Sequence, residues 1–423
     1  MESIEEKISR LAQEAEAALE TTFRRFDEIS FENTKKVMAA FREFSVNEAC
    51  FHGTTGYGYD DRGRDTLDQI YARVFEAEAA FVRHNIVSGT HALAIGLYGL
   101  LRPHDILLSA TGKPYDTLDE VIGISGERGR GSLSDYGVEY REVPLSSDGG
   151  IDISALKEGI RAAGDRLKVI FIQRSKGYMD RKTLSAEEIG DAVKVCRALT
   201  DAYVVVDNCY GEFVDLHEPT YYGADLIIGS LIKNPGGGMA ESGGYIAGTA
   251  RAVELASYRL TTVGTGLEVG ASLSQNRNLY KGFFFAPHVV ASALKTAAFA
   301  AYIFERMGYE VLPKATEERH DIIEAIRFGD PEALCAFCRG IQYGSPVDAY
   351  VTPEPWAMPG YADPVIMAAG TFTQGASIEL SADGPMRPPY TAFFQGGLTY
   401  ESGKLGILSA AREILKACGE KAL

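Results

Sequence analysis

Three short apolar runs constrain this chain more than any other feature: Lys168–Gln173 (KVIFIQ), Tyr203–Asp207 (YVVVD) and Leu226–Gly229 (LIIG). They show little polar alternation. Runs of this kind are typical of strands buried on both faces of a parallel sheet. Helical patterns separate them, so the expected fold class is α/β, with helices on both faces of a mostly parallel sheet.

The spacing predicts the following order. Residues 3–46 read as two amphipathic helices with a break near 27–32. FHGTTGYGYDDRGRD at 51–65 reads as a glycine-rich polar loop, and Thr66–Phe81 as a helix. Strands are expected at His84–Val87, Asp105–Ser109 and Val138–Val143. Helices are expected at Gly89–Leu101, from Asp116 to Ile122 and at Ser154–Ala163. Ser185–Thr200 should be a helix capped by Ser185, with Glu188 as its capping-box partner. After Gly270 a helix-rich run reaches about Met307. Short elements follow at Tyr309–Leu312, Thr316–Phe328, Val347–Tyr350 and Ser377–Leu380, with a turn-laden loop at Pro353–Pro364. The expected domains are an N-terminal helical segment with its loop (1–65), a large domain (66–285) and a small C-terminal domain (286–423).

The net charge of −16 argues against a nucleic-acid binder or a protein drawn to anionic membranes. The acidic N-terminus has no apolar signal core, and no uncharged apolar stretch of about 18 residues stands out. The six cysteines show no disulfide spacing. The expectation is a reducing, cytoplasmic setting.

In open α/β sheets, ligands bind beyond the carboxyl ends of the strands. Ser88-Gly89-Thr90 opens a helix after a strand, where free N–H groups and the helix dipole can hold an anion. Asp207 ends YVVVD, where a buried carboxylate needs a cation or donors. Lys233 follows IIGSLI and precedes Asn-Pro-Gly-Gly-Gly. Desolvation there can lower its pKa and make it nucleophilic. Each also has an ordinary reading: a turn with a cap, a structural ion pair, a surface lysine. Lys113, Lys176 and Lys281 are rivals in less apolar settings. Together, an anion cradle, a strand-end carboxylate and a lysine are what pyridoxal 5'-phosphate requires. Ser230 can add a phosphate hydrogen bond.

Four longer segments carry a resemblance. They are HGTTGYGYDDRGRDTLDQIYARVFEAEAAFVR, IVSGTHALAIGLYGLLRPHDILLSATGKPYDTLDEVIG, VVVDNCYGEFVDLHEPTYYGADLIIGSLIKNPGGG and IELSADGPMRPPYTAFFQGGLTYE. The chain resembles the methionine γ-lyase-like, aluminium-resistance proteins among the fold-type I pyridoxal-phosphate enzymes of Cys/Met metabolism. The resemblance implies an aspartate aminotransferase-like fold, with a large mostly parallel-sheet domain and a smaller C-terminal α/β domain. It implies Lys233 as the Schiff-base lysine, Asp207 on the pyridine nitrogen, and Ser230 with Ser88, Gly89 and Thr90 on the phosphate. Tyr115 would stack on the ring and protonate a thiolate. Tyr59 would reach the phosphate of a neighbouring subunit, which implies dimers with shared sites, paired into a homotetramer.

There are departures from the wider pattern. Asp61 stands where an arginine is expected two residues after Tyr59, with Arg62 and Arg64 as replacements. Gln173-Arg174-Ser175-Lys176-Gly177 replaces a Thr-Pro-x-Asn-Pro stretch. For the substrate carboxylate, Arg387 is the first candidate and Arg174 the second. The implied activity is carbon–sulfur bond cleavage in a methionine-, cystathionine- or cysteine-class amino acid, by α,β- or α,γ-elimination. Transamination, racemisation or retro-aldol cleavage on the same cofactor, or a non-enzymatic stress role, are the alternatives.

Other motifs read blandly. Cys335-Ala-Phe-Cys338 lies on a helical pattern and reads as packing rather than zinc. Gly126–Gly131 reads as a mobile loop. His91 can cap or touch a ligand. The Phe283–Phe285 run reads as core or interface, and Trp356 has no assigned role.

Overall fold

The computed structural model describes residues 3–179, 181–358, 361 and 363–419. The chain divides into two units. One comprises Asn33–Leu231 and Met239–Phe284. The other comprises the chain up to Glu32, Ile232–Gly238, and the chain from Phe285 onward.

The first unit is built on seven strands: β1 (Ala79–Arg83), β2 (Ile106–Ser109), β3 (Glu139–Glu142), β4 (Leu167–Gln173), β5 (Tyr203–Asp207), β6 (Leu226–Ser230) and β7 (Gly244–Gly248). Their order is β1-β7-β6-β5-β4-β2-β3. β3, β2, β4, β5 and β6 pair in parallel, and only β7 runs against its neighbours. The three apolar runs are thus the centre of the sheet.

Helix Gly89–Leu100 lies against this centre. Ala92, Leu93, Ile95, Leu97 and Leu100 join Leu107, Val169, Phe171, Val205, Leu226, Ile228 and Ile246 in one buried cluster. Burying each large side chain contributes about 1.5–3 kcal/mol relative to exposure. Two glycines allow the approach. A Cβ at Gly96 would lie 2.4 Å from Ile228 Cδ1, and one at Gly99 2.7 Å from Ala256 Cα on helix Ala250–Leu260.

The second unit carries an antiparallel sheet of β8 (Glu310–Leu312), β9 (Glu324–Arg327), β10 (Val365–Ala368), β11 (Ser381–Pro385) and β12 (Thr391–Gln395), in the order β10-β11-β12-β9-β8. Helices Pro331–Tyr343 and Tyr400–Cys418 accompany it.

Several local expectations are corrected. The N-terminus is one 40-residue helix, Ile4–Glu43, without the expected break. No proline or glycine interrupts those residues. The helix expected to reach Phe81 ends at Val74, and Ala79–Arg83 is the strand in place of His84–Val87. Val347–Tyr350 and Ser377–Leu380 lie in turns and irregular chain. Helix Asn276–Arg306 is long and apolar enough to cross a bilayer by length and composition, although Lys281 and Lys295 interrupt it. However, 78% of its most apolar window is buried inside the protein, as in a core helix. The capping box of Ser185 and Glu188 is present as expected.

Candidate functional site

Helix Gly89–Leu100 opens at Ser88-Gly89-Thr90, the segment expected to cradle an anion. Ser88 is extended, and its Oγ accepts the His91 N–H at 3.1 Å. His91 in turn accepts the Val87 N–H at Nδ1, so it caps its own turn. The first amides of a helix have no partner within it, and here they open beside β5 and β6. A Cβ on Gly89 would lie 3.3 Å from Cys209 Sγ and 3.5 Å from Ser230 Cβ. Any side chain at 89 would therefore crowd the cradle. Cys209 was not singled out by the sequence, and only this packing reveals it.

Asp207 closes β5 and is 7% exposed. Its Oδ1 accepts the Cys209 N–H at 3.1 Å. Its backbone carbonyl accepts the Arg174 N–H. The structure thus brings Ser88, Gly89, Thr90, Asp207 and Ser230 to the carboxyl end of two adjacent strands.

Tyr115 stands on the loop after β2. Its N–H donates to Gln173 Oε1 at 2.7 Å, and its ring lies 5.5 Å from that of Tyr178. Gly177, at φ +57°, accommodates the ring, since a Cβ there would lie 3.0 Å from Tyr115 Cδ2. Thr117, two residues on, shares a 2.7 Å hydrogen bond with Thr90 of the cradle. Gln173 and Thr117 are thus supporting residues that sequence patterns did not mark.

Lys233 is half-buried and precedes a short turn, Asn234–Gly236, whose residues are buried. Within its own unit this loop is fastened on both sides. Ile232 O accepts the Ile378 N–H at 2.9 Å, and a Cβ at Gly238 would strike Leu398 Cδ2 at 2.3 Å. The rival lysines differ. Lys113 is paired with Asp119 at 2.6 Å, whose hydrogen bond holds the ammonium above its usual pKa. Lys281 is exposed, whereas Lys176 is 1% exposed.

Tyr59 and Tyr57 are 58% and 77% exposed, with ring centroids 5.9 Å apart. The loop beneath them is well tied. Asp61, 1% exposed, accepts hydrogen bonds from Thr54 Oγ1, the Arg64 N–H, Ser272 Oγ and Asn276 Nδ2. Burial alone would raise its pKa, but the bonds from Ser272, Thr54, the Arg64 amide and Asn276 outweigh it and hold it at about 2. Arg64 is buried and donates to Gly58 O at 2.7 Å and Gly270 O at 2.9 Å. It therefore braces the loop, while Arg62 is exposed.

The two candidate arginines separate clearly. Arg387 is exposed and pairs with Asp363 at 2.8 Å. Arg174 is completely buried and committed to Asn208 Oδ1 (2.8 Å), Glu218 (3.2 Å), Asp215 (2.6 Å) and Leu184 O (3.3 Å). A substrate carboxylate would have to displace two protein carboxylates, so Arg174 is corrected to a structural cation.

The remaining motifs resolve simply. The amides of Gly129, Gly131 and Ser132 are taken by Asp135 of the same loop. Phe283 is buried and stacks on Tyr71 at 3.9 Å, while Phe284 and Phe285 are partly exposed. Cys338 is buried on helix Pro331–Tyr343, and no metal-holding cluster of His, Cys, Asp or Glu occurs among the described residues.

The model of the methionine gamma-lyase family matches residues 8–415. YnbB of Bacillus subtilis is 50% identical over 412 residues, 97% of either chain. A solved carbon–sulfur lyase involved in aluminium resistance, from Clostridium novyi, superposes with a TM-score of 0.93 at 47% identity, covering 96% of both chains. A protein involved in aluminium resistance from Clostridium acetobutylicum does so at 0.93 and 49%, covering 96% of this chain and 95% of that one. At the level of fold alone, the chain is similar to the pyridoxal-5'-phosphate-dependent protein YhfS of Escherichia coli. There the TM-score is 0.57 and the identity 19%, over 92% of this chain and 96% of that one.

Proposed function

Since the chain belongs to the methionine gamma-lyase family, we propose that it is a pyridoxal-phosphate-dependent carbon–sulfur lyase acting on a sulfur amino acid. The residues present fit that cofactor. A 12-residue helix opens beside Ser230 at a glycine where a Cβ would crowd the cradle, and a buried carboxylate closes the adjacent strand. This convergence of Gly89, Ser230 and Asp207 is the observation that carries the reading.

Ser88, Gly89, Thr90 and Ser230 would hold the phosphate. Asp207 would keep a proton on the ring nitrogen. Pyridoxal phosphate, when bound, supplies an electron sink for the charge left at a substrate α-carbon. Lys233 would hold the cofactor aldehyde through Nζ, and the same amine would carry the substrate's α-proton. Tyr115 would hand a proton from Oη to the departing sulfur. Arg387 would take the substrate carboxylate, and Tyr59 would serve the phosphate of a neighbouring copy in a dimer. Methionine, cystathionine and cysteine are the substrates to try, by β- or γ-elimination, in a cytoplasmic homo-oligomer.

The test is the visible absorbance of the purified protein before and after borohydride, with peptide mass mapping. A yellow protein carrying a pyridoxyl group on Lys233, and releasing keto acid, ammonia and thiol, supports the reading. A protein that stays unlabelled after added pyridoxal phosphate removes it. Formation of a second amino acid would replace elimination by transamination.

A further inference from the structure

Arg174 lies in one of the stretches that depart from the wider pattern, and its surroundings give it a different task from substrate binding. The chain from Asp207 to Glu218 wraps around its guanidinium. Nη1 donates to Asn208 Oδ1 at 2.8 Å, and Asp215 and Glu218 grip Nη2 and Nη1 at 2.6 and 3.2 Å. The Arg174 main-chain N–H donates to Asp207 O at 3.1 Å. Asn208 is fully buried and continues the network through Nδ2 to Glu218 at 2.9 Å and Tyr245 Oη at 3.2 Å. Tyr245 Oη donates to Glu212 at 2.8 Å. The fit is close, since a Cβ on Gly211 would lie 2.5 Å from Arg174 Cδ.

The wrapped segment also holds two buried residues in the left-handed region, Tyr210 at φ 71° and Phe213 at φ 63°. Such conformations cost energy and persist only where their surroundings over-determine them. Around Arg174 one buried cation meets two carboxylates, and the side chains of Asn208, Glu218 and Asp215 close on it from one segment.

We propose that Arg174 is a positioning residue for Asp207: by clamping Asn208 and the segment behind it, the guanidinium fixes the strand end on which the Asp207 carboxylate stands. This rests on the reading of Asp207 as the partner of the cofactor ring nitrogen. Arginine suits the place because its rigid planar fork holds several acceptors in fixed, separated directions, whereas a lysine ammonium is a compact point charge.

The experiment compares the reconstituted parent with Arg174→Lys, Arg174→Met, Asp207→Asn and the double variant Arg174→Met/Asp207→Asn. It reads pyridoxal-phosphate affinity and the position of the visible band, with circular dichroism as the check on folding. Arg174→Met should bind about tenfold more weakly and shift the band, and Arg174→Lys should recover only part of the loss. In the Asp207→Asn background the Arg174 substitution should add little, because both changes remove one function. A folded Arg174→Met protein with parental affinity and band overturns the proposal, and so does full additivity with Asp207→Asn.

If Arg174→Met does not fold, Asp215→Asn decides. It loosens the clamp while leaving Arg174 and Asn208 in place. A several-fold loss that vanishes in the Asp207→Asn background supports the proposal, and parental affinity overturns it. A parent that takes up no cofactor on Lys233 overturns the functional reading together with this inference, which distinguishes that failure from a failure of Arg174 alone.

Discussion

Gln173 and Asp207 face each other across the last rung of the parallel pair β4 and β5. Gln173 also donates its own main-chain N–H to Thr111 Oγ1 at 3.0 Å, accepts the Tyr115 N–H at Oε1 at 2.7 Å and donates from Nε2 to Ser175 O at 3.1 Å. One rung of the sheet therefore sets the height of both the carboxylate and the tyrosine loop. Gln173→Met should free the Tyr115 loop while keeping the side-chain volume. The expected result is a stability loss of about 1 kcal/mol, with a larger proportional fall in kcat than rise in KM. Thermal unfolding and steady-state kinetics check it. An unchanged kcat would remove the supporting role of Gln173.

The assignment of Lys233 and Asp207 makes a sharper prediction. Lys233→Ala should lose borohydride-fixed label and nearly all turnover. Asp207→Ala should lose far more activity than Asp207→Glu, because only the latter keeps a charge at the ring nitrogen. Equal activities of the two Asp207 variants would exclude that role.

The centre of the fold was legible because β4, β5 and β6 are apolar on both faces, which few other structures permit. The positions of Asp207 and Ser230 were legible because each closes such a run, and Lys233 follows three residues after the second. The β1 strand was hidden because Ala79–Arg83 continues a helix-like apolar spacing, while the loop after it contains Ile86 and Val87. Arg174 was misread because its partners Asn208, Asp215 and Glu218 lie more than 30 positions away. No local pattern can show that a strand-end arginine is already neutralised. Cys209 and Thr117 belong to the same class: their meaning lies in contacts with Gly89 and Thr90, far from them in sequence.

The clasp around Asp61 predicts a pH dependence. Its folded pKa of about 2 lies below the ordinary value of 3.8. The stabilisation is therefore fully present above the unfolded pKa and is lost as pH falls through about 2. Asp61→Asn should cost about 1–2 kcal/mol at neutral pH. The gap between variant and parent should close as pH falls from about 4 to 2. Urea unfolding across that range measures it, and a gap that does not narrow would mean the carboxylate charge is not what holds the loop.

Two glycines on one helix should respond oppositely to alanine. Alanine is the better helix former by about 1 kcal/mol, so each substitution starts from a local gain. At Gly89 the added Cβ meets Cys209 Sγ at 3.3 Å and Ser230 Cβ at 3.5 Å. Stability should hold or rise, while pyridoxal-phosphate affinity falls several-fold. At Gly96 the Cβ meets Ile228 Cδ1 at 2.4 Å inside the packed sheet face. Overpacking there costs about 1–3 kcal/mol, which exceeds the helical gain, so Gly96→Ala should destabilise with little specific effect on the cofactor. Ile228→Val removes the colliding methyl, and Gly96→Ala/Ile228→Val should be more stable than Gly96→Ala alone. A double variant that is simply the sum of two losses would show that Ile228 is not the obstacle.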